Sequence, residues 1–104
     1  MNACMVIAAP KPGHLDDLVG FWDDETVAEI TSQQGNCGFV LFRDLANGRV
    51  VALSLWDGDA DADAAGLTFT THMASGFGLL ASPPQVERLE VAVDSGGVPG
   101  NRSI

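Results

Sequence analysis

Two histidines are among the few side chains of this 104-residue chain that could do acid–base chemistry. His72 lies three residues after Phe69 and one before Met73, a spacing that places it beside the apolar stripe of a helix. An imidazole titrates near neutral pH, so His72 could serve as a general base or as a metal ligand. The simpler alternative is a half-exposed helix residue without a catalytic role. We take His72 as the candidate catalytic residue.

Large apolar side chains could form the walls of a binding pocket near this histidine. The rings of Trp22 and Trp56 could hold a flat aromatic substrate, and an indole N–H could orient it. Phe69 and Met73 would complete such a wall on the second helix. Aromatic side chains at helical or strand spacing also serve as core packing, so both interpretations stand. Phe21 falls away from the apolar stripe of its helix, and we expect it to be exposed or to contact a partner subunit.

The sequence predicts neither a metal site nor a bound cofactor. Four aspartates in alternate positions from Asp57 imitate the start of a calcium loop. A true loop needs Gly at its sixth position and Glu at its twelfth, where this chain has Ala62 and Thr68. Cys4 and Cys37 have no zinc-ligand spacing, alone or with the histidines. The aspartates are better explained as the acidic start of a helix.

Charge and composition exclude several classes of function. Fourteen Asp and Glu against five Lys and Arg give a net charge of −9, which is unsuited to binding nucleic acids or anionic membranes. No apolar run approaches the ~20 residues of a membrane-spanning helix. The first residues lack the basic region of a signal peptide, and two cysteines suit a reducing compartment, so we expect a cytoplasmic protein.

Hydrophobic periodicity predicts six elements. Residues 3–9 form a short apolar run before a Pro- and Gly-containing turn, which indicates a strand. Helical periodicity follows over residues 14–32. Its apolar stripe consists of Leu15, Leu18, Val19, Trp22, Thr26 and Ile30. Asn47-Gly48 predicts a hairpin of strands 38–44 and 49–56. A second helix is expected from 59 to about 80, with a break near Gly66, and a last strand over 85–93.

The order β-α-β-β-α-β predicts an α+β, ferredoxin-like fold. In this arrangement four antiparallel strands form one sheet, and both helices cover the same face. We expect a single domain over residues 1–94. Residues 95–104 contain glycine and proline and are expected to form a flexible tail.

Three of the four predicted strands are apolar on both faces, although two helices can cover only one. In the first strand, for example, Val6 and Ile7 point to opposite faces and both are apolar. Only the last strand is one-sided, with Arg88 and Glu90 facing away from Leu89. A second copy of the chain is the commonest cover for such a face. The sequence therefore predicts a homodimer that packs sheet to sheet.

Four short segments carry a resemblance to a known family. They are Lys11-Pro12-Gly13-His14-Leu15, Gly35-x-x-Gly38-Phe39, Asn47-Gly48 and Leu55-Trp56-Asp57. Together they resemble the dimeric α+β barrel superfamily, and within it the antibiotic-biosynthesis-monooxygenase-like domain, over about residues 3–93. These motifs are structural rather than catalytic, so they bear on the fold more than on the activity.

The resemblance implies a homodimer with a ligand pocket between the sheet and the helices. Some members oxidise aromatic polyketides with O₂ and without metal or flavin. It thus implies a cofactor-independent monooxygenase for a phenolic or quinol-like compound. His72 would remove the phenolic proton, and the walls formed by Trp56, Phe69 and Met73 would position the ring. The alternative is a non-catalytic ligand-binding or accessory protein of the same fold.

Haem binding or degradation is a more remote alternative. Haem-degrading relatives carry a helix histidine near the position of His72. They also carry an Asn in the first strand and a Trp earlier on the second helix. This chain has no Asn over residues 3–9 and no Trp or Tyr between Asp57 and His72.

Overall fold

A computed structural model describes residues 1–73 and 78–92, apart from the side chains of residues 68–73. The strands are β1 (Asn2–Ala8), β2 (Asn36–Asp44), β3 (Arg49–Trp56) and β4 (Gln85–Glu90). The helices are α1 (Leu15–Phe21), α2 (Val27–Thr31) and α3 (Asp59–Met73), and a π-helical turn, Trp22–Thr26, joins α1 to α2. The predicted α+β, ferredoxin-like fold is confirmed. The expected tail, residues 95–104, lies outside the described residues.

The strands form one antiparallel sheet in the order β2-β3-β1-β4. In the pairing of β1 with β3, Asn2 lies opposite Trp56 at one end and Ala8 opposite Val50 at the other. On its second side β1 pairs with β4, where Ile7 lies opposite Gln85. The sheet therefore has a Trp56 end and a Val50 end, and the two central strands connect them.

The hairpin between β2 and β3 follows the predicted turn. Gly48 has a φ of +62°, the left-handed conformation that a glycine adopts without strain. Arg49 donates through Nε to Asp44 Oδ2 at 2.7 Å, and the Asn47 side-chain amide donates to the same carboxylate. These two hydrogen bonds lower the pKa of Asp44.

The first predicted helix is not a single α-helix, because a π-turn separates α1 from α2. The backbone N–H of Val27 donates to the Trp22 carbonyl, which widens the turn by one residue. The predicted apolar stripe is nonetheless the buried one: Leu18, Trp22, Thr26 and Ile30 are buried, and Leu15 and Val19 pack against the core. Phe21, expected to be exposed or to contact a partner subunit, is instead partly buried against the core of its own chain, and a contact with a partner stays a prediction.

The second helix differs from its prediction in two ways. α3 runs through Gly66 without the expected break, since Ala62 and Ala65 anchor it in the core on either side of that turn. The expected extension to about residue 80 was also wrong, because Leu80 pairs with Pro10 in an isolated β-bridge. No helix in the described part of the chain is both long enough and apolar enough to cross a membrane.

The helices pack on one face of the sheet, which we call the covered face. Its strand residues in the core are Cys4, Val6, Ala8, Val50, Ala52 and Trp56. The alternate residues form the second face, which we call the open face. Its larger apolar side chains are Met5, Ile7, Val40, Phe42, Val51, Leu53, Leu55 and Leu89, of which Leu55 is almost fully buried. Strands β1, β2 and β3 are therefore apolar on both faces, as the sequence predicts.

The last strand is shorter than predicted, and its register assigns its side chains to the two faces. β4 ends at Glu90, and its Leu89 lies opposite Ala3 and so belongs to the open face. Arg88 lies opposite Cys4 and belongs to the covered face. Leu89 thus adds one apolar side chain to the open face, where β4 also carries Gln85 and Glu87.

Candidate functional site

The two predicted tryptophans lie in the interior between the sheet and the helices, and both are fully buried. The Trp56 ring is held by a short polar chain: its Nε1–H donates to Ser54 Oγ at 2.9 Å. Ser54 Oγ in turn lies 3.3 Å from the Cys4 carbonyl oxygen, to which it donates. Trp22 lies on the π-turn on the helical side of the same interior. Their role as pocket walls stays a prediction.

A cavity of about 320 Å³ lies at the Val50 end of the sheet, next to the segment that leads into β4. Its described lining is Leu80, Ala81, Ser82, Pro83 and Pro84. Two backbone hydrogen bonds fix this segment: Ala81 N–H donates to the Ala9 carbonyl, and Lys11 N–H donates to the Leu79 carbonyl, both at 2.8 Å. The lining is apolar except for Ser82, which suits a small apolar molecule.

Trp56 does not belong to this cavity. It lies opposite Asn2, whereas the cavity lies beyond Ala8 at the other end of β1, about 20 Å away at ~3.3 Å per strand residue. The structure therefore does not bring Trp56 to the cavity that it describes.

The three candidate residues of the second helix can be placed by their backbone alone. Phe69, His72 and Met73 lie in the last turns of α3, and their side chains are outside the described residues. α3 starts after Trp56 and spans about 21 Å at ~1.5 Å per residue, so its last turns lie toward the Val50 end of the sheet. The catalytic role of His72 and the wall-forming roles of Phe69 and Met73 stay predictions.

Arg88 is a charged side chain on the covered face that contacts α3. Its Nη2 donates to Asp59 Oδ1 at 3.0 Å, and its Nη1 donates to Asp63. The two carboxylates are four residues apart and therefore share one side of α3. Arg88 thus joins the first turns of α3 to the edge strand β4. The spacing of Asp59 and Asp63 was the available signal for this contact.

The thiol of Cys4 lies beneath this cluster. Burial raises its pKa, and the charge of Arg88 and a hydrogen bond with Ser54 oppose that rise without reversing it. A protonated thiol is a poor nucleophile. Cys4 is therefore best described as a core residue.

Cys37 is held protonated for a different combination of reasons. Burial raises its pKa, and so do the hydrogen bond and the negative charge of Asp57. The Sγ donates to Asp57 Oδ1 at 3.1 Å. Nearby Gly35 has a φ of +83°, and a Cβ there would collide with the Asp61 side chain. The start of α3 therefore fits tightly over the segment that precedes β2.

The other described titratable groups lie apart from the interior. His14 is exposed and shares a hydrogen bond of 2.9 Å between its Nδ1 and Asp17 Oδ2. No group of three or more His, Cys, Asp or Glu side chains placed to hold a metal ion occurs in the described part of the chain.

Comparisons with known proteins give matches among solved structures, while no family model and no curated protein matches the sequence. The structure of Rv0793 from Mycobacterium tuberculosis superposes with a TM-score of 0.76 at 17% identity, covering 90% of this chain and 97% of that one. An antibiotic biosynthesis monooxygenase superposes with a TM-score of 0.73 at 17% identity, covering 89% and 100%. This chain has the antibiotic-biosynthesis-monooxygenase-like α+β barrel fold.

The fold is shared by proteins whose activity is not known. NE2512, a protein of unknown function from Nitrosomonas europaea, superposes with a TM-score of 0.76 at 20% identity, covering 89% of this chain and 90% of that one. The antibiotic-biosynthesis-monooxygenase-like fold is typically dimeric. At these identities the likeness is one of fold, so the function must be argued from this chain's own residues.

Proposed function

We propose that this chain is a homodimeric protein that binds a small, mostly apolar aromatic molecule between its sheet and its helices. We further propose that it acts as a cofactor-independent monooxygenase on a phenolic or quinol-like compound. The superposition on an antibiotic biosynthesis monooxygenase over 89% of this chain is the observation that carries the proposal.

The open face supports the proposed homodimer. Phe42 and Leu89 are 47% and 44% exposed, and they lie on the same face as Met5, Val51 and Leu53. An apolar face of this kind is uncommon on a monomer. A second copy that presents the same face would bury both through a twofold axis.

The proposed reaction needs little from the protein beyond a base and a dry pocket. His72 would remove the phenolic proton, and the resulting anion would reduce O₂ directly. One oxygen atom enters the ring and the other leaves as water, so a phenol with an unsubstituted para carbon becomes the quinone. The substrate itself supplies the electrons. Apolar walls would position the ring and limit the access of water.

A non-catalytic ligand-binding or accessory role is the second candidate. The observation that favours it is the interior itself, whose buried polar side chains in the described residues are Thr26 and Ser54. Neither can act as a base near neutral pH. Under this alternative the ligand would bind in the same interior and leave unchanged.

A reducing, cytoplasmic location is proposed together with either function. Cys4 and Cys37 are both free cysteines. Free thiols persist where the surroundings keep them reduced.

The experiment that tests the monooxygenase is oxygen consumption with 1-naphthol and anthrone, corrected for autoxidation in protein-free buffer. We expect turnover by the parent protein and at least a ~100-fold loss in His72→Ala, the scale of general-base catalysis. His14→Ala is the matched control, because it removes the other histidine, which is exposed and bonded to Asp17. Undiminished turnover in His72→Ala would remove that residue from the mechanism.

The same screen separates the alternatives. Ligands that raise the melting temperature without consuming oxygen would favour the non-catalytic role. Haem is included in the screen, and a Soret band in the reconstituted protein would revive the haem alternative, for which we expect none.

A further inference from the structure

The Thr26 hydroxyl is the unusual polar group of the interior. Thr26 is 0% exposed, and its Oγ1 has no hydrogen-bond partner among the described residues. A buried hydroxyl without a partner destabilises the folded state, because its hydrogen bonds to water are lost and not replaced. An orphan of this kind in a core therefore calls for an explanation.

A second threonine, one turn away on α2, shows what a helix ordinarily offers such a hydroxyl. Thr31 Oγ1 donates to the Val27 carbonyl four residues earlier, at 2.8 Å. The corresponding acceptor for Thr26 would be the Trp22 carbonyl, to which its hydroxyl makes no hydrogen bond; in the π-turn this carbonyl accepts the backbone N–H of Val27. The π-turn thus coincides with the loss of the local bond that Thr31 makes. Turns of this type occur frequently at functional sites.

The helix opposite Thr26 contributes little volume. The π-turn packs against α3, whose inward residues there are Ala62 and Ala65, both almost fully buried. Both side chains are single methyl groups, so α3 fills little of the space beside the π-turn. Small alanine side chains on one side and an unbonded hydroxyl on the other suit a small guest that carries one polar atom.

We propose that the Thr26 hydroxyl binds the oxygen of a small aromatic ligand that carries a hydroxyl or carbonyl group. The inference rests on the proposed ligand-binding function and adds the residue that selects an oxygen-bearing ligand over a plain hydrocarbon. The hydroxyl is left without a partner in the free protein and gains one when the ligand binds. The destabilisation of the free state is therefore offset in the complex.

The test is a double exchange of hydroxyl for methyl, once in the protein and once in the ligand. The probes are 1-naphthol and 1-methylnaphthalene, which differ in that group, and affinities are measured by quenching of tryptophan fluorescence. We expect the parent protein to bind 1-naphthol about five- to tenfold more tightly, the value of one hydrogen bond. Thr26→Val should lose this preference or reverse it, while Thr26→Ser should keep it.

The free proteins give a second, independent readout. Thr26→Val should raise the melting temperature by about 4 to 8 °C, because the orphan hydroxyl is replaced by a methyl group of similar size. Thr31→Val is the control, since it removes a hydroxyl that is already bonded, and it should leave the ligand preference unchanged.

The outcomes distinguish failure of the proposed Thr26 hydrogen bond from failure of the proposed binding of small aromatic molecules. If both probes bind and their ratio is the same in Thr26→Val, the inference is wrong and the binding function stands. If neither probe binds the parent protein, the proposed binding of small aromatics fails and the inference fails with it. A lower melting temperature for Thr26→Val would mean that a water molecule already satisfies the hydroxyl in the free protein, which would overturn the inference.

Discussion

The two faces of the sheet are built from alternate residues of the same strands, yet they differ in how far the chain itself covers their apolar side chains. On the covered face, Val50 and Trp56 are fully buried against the helices, and the indole N–H is bonded to Ser54. On the open face, Phe42 and Leu89 remain about half exposed. Because neighbouring residues of a strand point to opposite faces, the same strands supply both environments.

The difference shows that one face is completed by the chain itself and the other is not. The helices pack Leu18, Trp22 and Ile30 against the covered face, and these side chains bury its apolar residues. On the open face, β4 adds Leu89 and so enlarges the apolar area. The folding of one chain and the proposed pairing of two chains are therefore separable, and substitutions on each face should affect only one of them.

The largest effect is expected from a charge in the middle of the open face. Leu53→Asp should convert the proposed homodimer to a monomer, because each dimer would bury two uncompensated carboxylates. Light scattering after size exclusion should then give half the parent mass. Leu45→Asp is the control, since Leu45 is 76% exposed in the hairpin turn and should keep the parent mass. A parent protein that is already monomeric would contradict the proposed assembly.

The covered face should respond through stability instead of assembly. Trp56→Ala removes the ring of a fully buried side chain and should cost about 3–5 kcal/mol in the free energy of unfolding. Trp56→Phe keeps most of the apolar area and loses the bond to Ser54, so its cost should be about 1 kcal/mol. Urea denaturation gives both values. Equal losses in the two variants would mean that the hydrogen bond, and not the packing, holds the ring.

A smaller effect is expected at the edge of the covered face. Arg88→Met removes the ion pairs with Asp59 and Asp63 and should cost about 1 kcal/mol at low salt, and less at high salt. Arg43→Met is the matched control, because its pair with Asp16 joins two exposed side chains and should contribute nothing measurable. A loss that is independent of salt would indicate that the Arg88 side chain acts by packing.

The smallest effect is a pH dependence that arises from Cys4. Burial raises the pKa of this thiol above its ordinary value of 9.0. The unfolded chain therefore releases the proton first as the pH rises, so the contribution is complete below about pH 9 and is lost above it. Cys4→Ala should remove this component when denaturation is compared at pH 7 and pH 10. The prediction fails if both proteins lose stability equally over that range.

The sequence predicted the hairpin and the core stripe because both depend on neighbours along the chain. Asn47-Gly48 determines a turn locally, and helical spacing brings Trp22, Thr26 and Ile30 to one side. The π-turn was not predictable from that spacing, since the same residues face inward with or without it. The continuous course of α3 was missed because packing of the flanking alanines outweighs the low helix propensity of Gly66.

The candidate site was harder to predict because its parts come from different elements. Alternation placed Arg88 and Leu89 on opposite faces of β4, but only the register with β1 shows that Arg88 is the one that faces the helices. Trp56 was correctly expected to close β3, yet sequence spacing does not reveal that the cavity lies at the other end of the sheet. Thr26 was expected to face inward, and the absence of a bonding partner requires coordinates.

The edge strand β4 also has a bearing on how far copies of the chain can associate. It is short and exposed, it follows directly after Pro83 and Pro84, and it carries charges at Glu87, Arg88 and Glu90. Charges and prolines at a sheet edge oppose the addition of strands from neighbouring molecules. In a pair of chains joined through their open faces, both apolar sheet faces would be buried. The exposed β4 edges would then disfavour the addition of further chains into filaments. The chemistry of one short strand thus favours a closed assembly over a polymer.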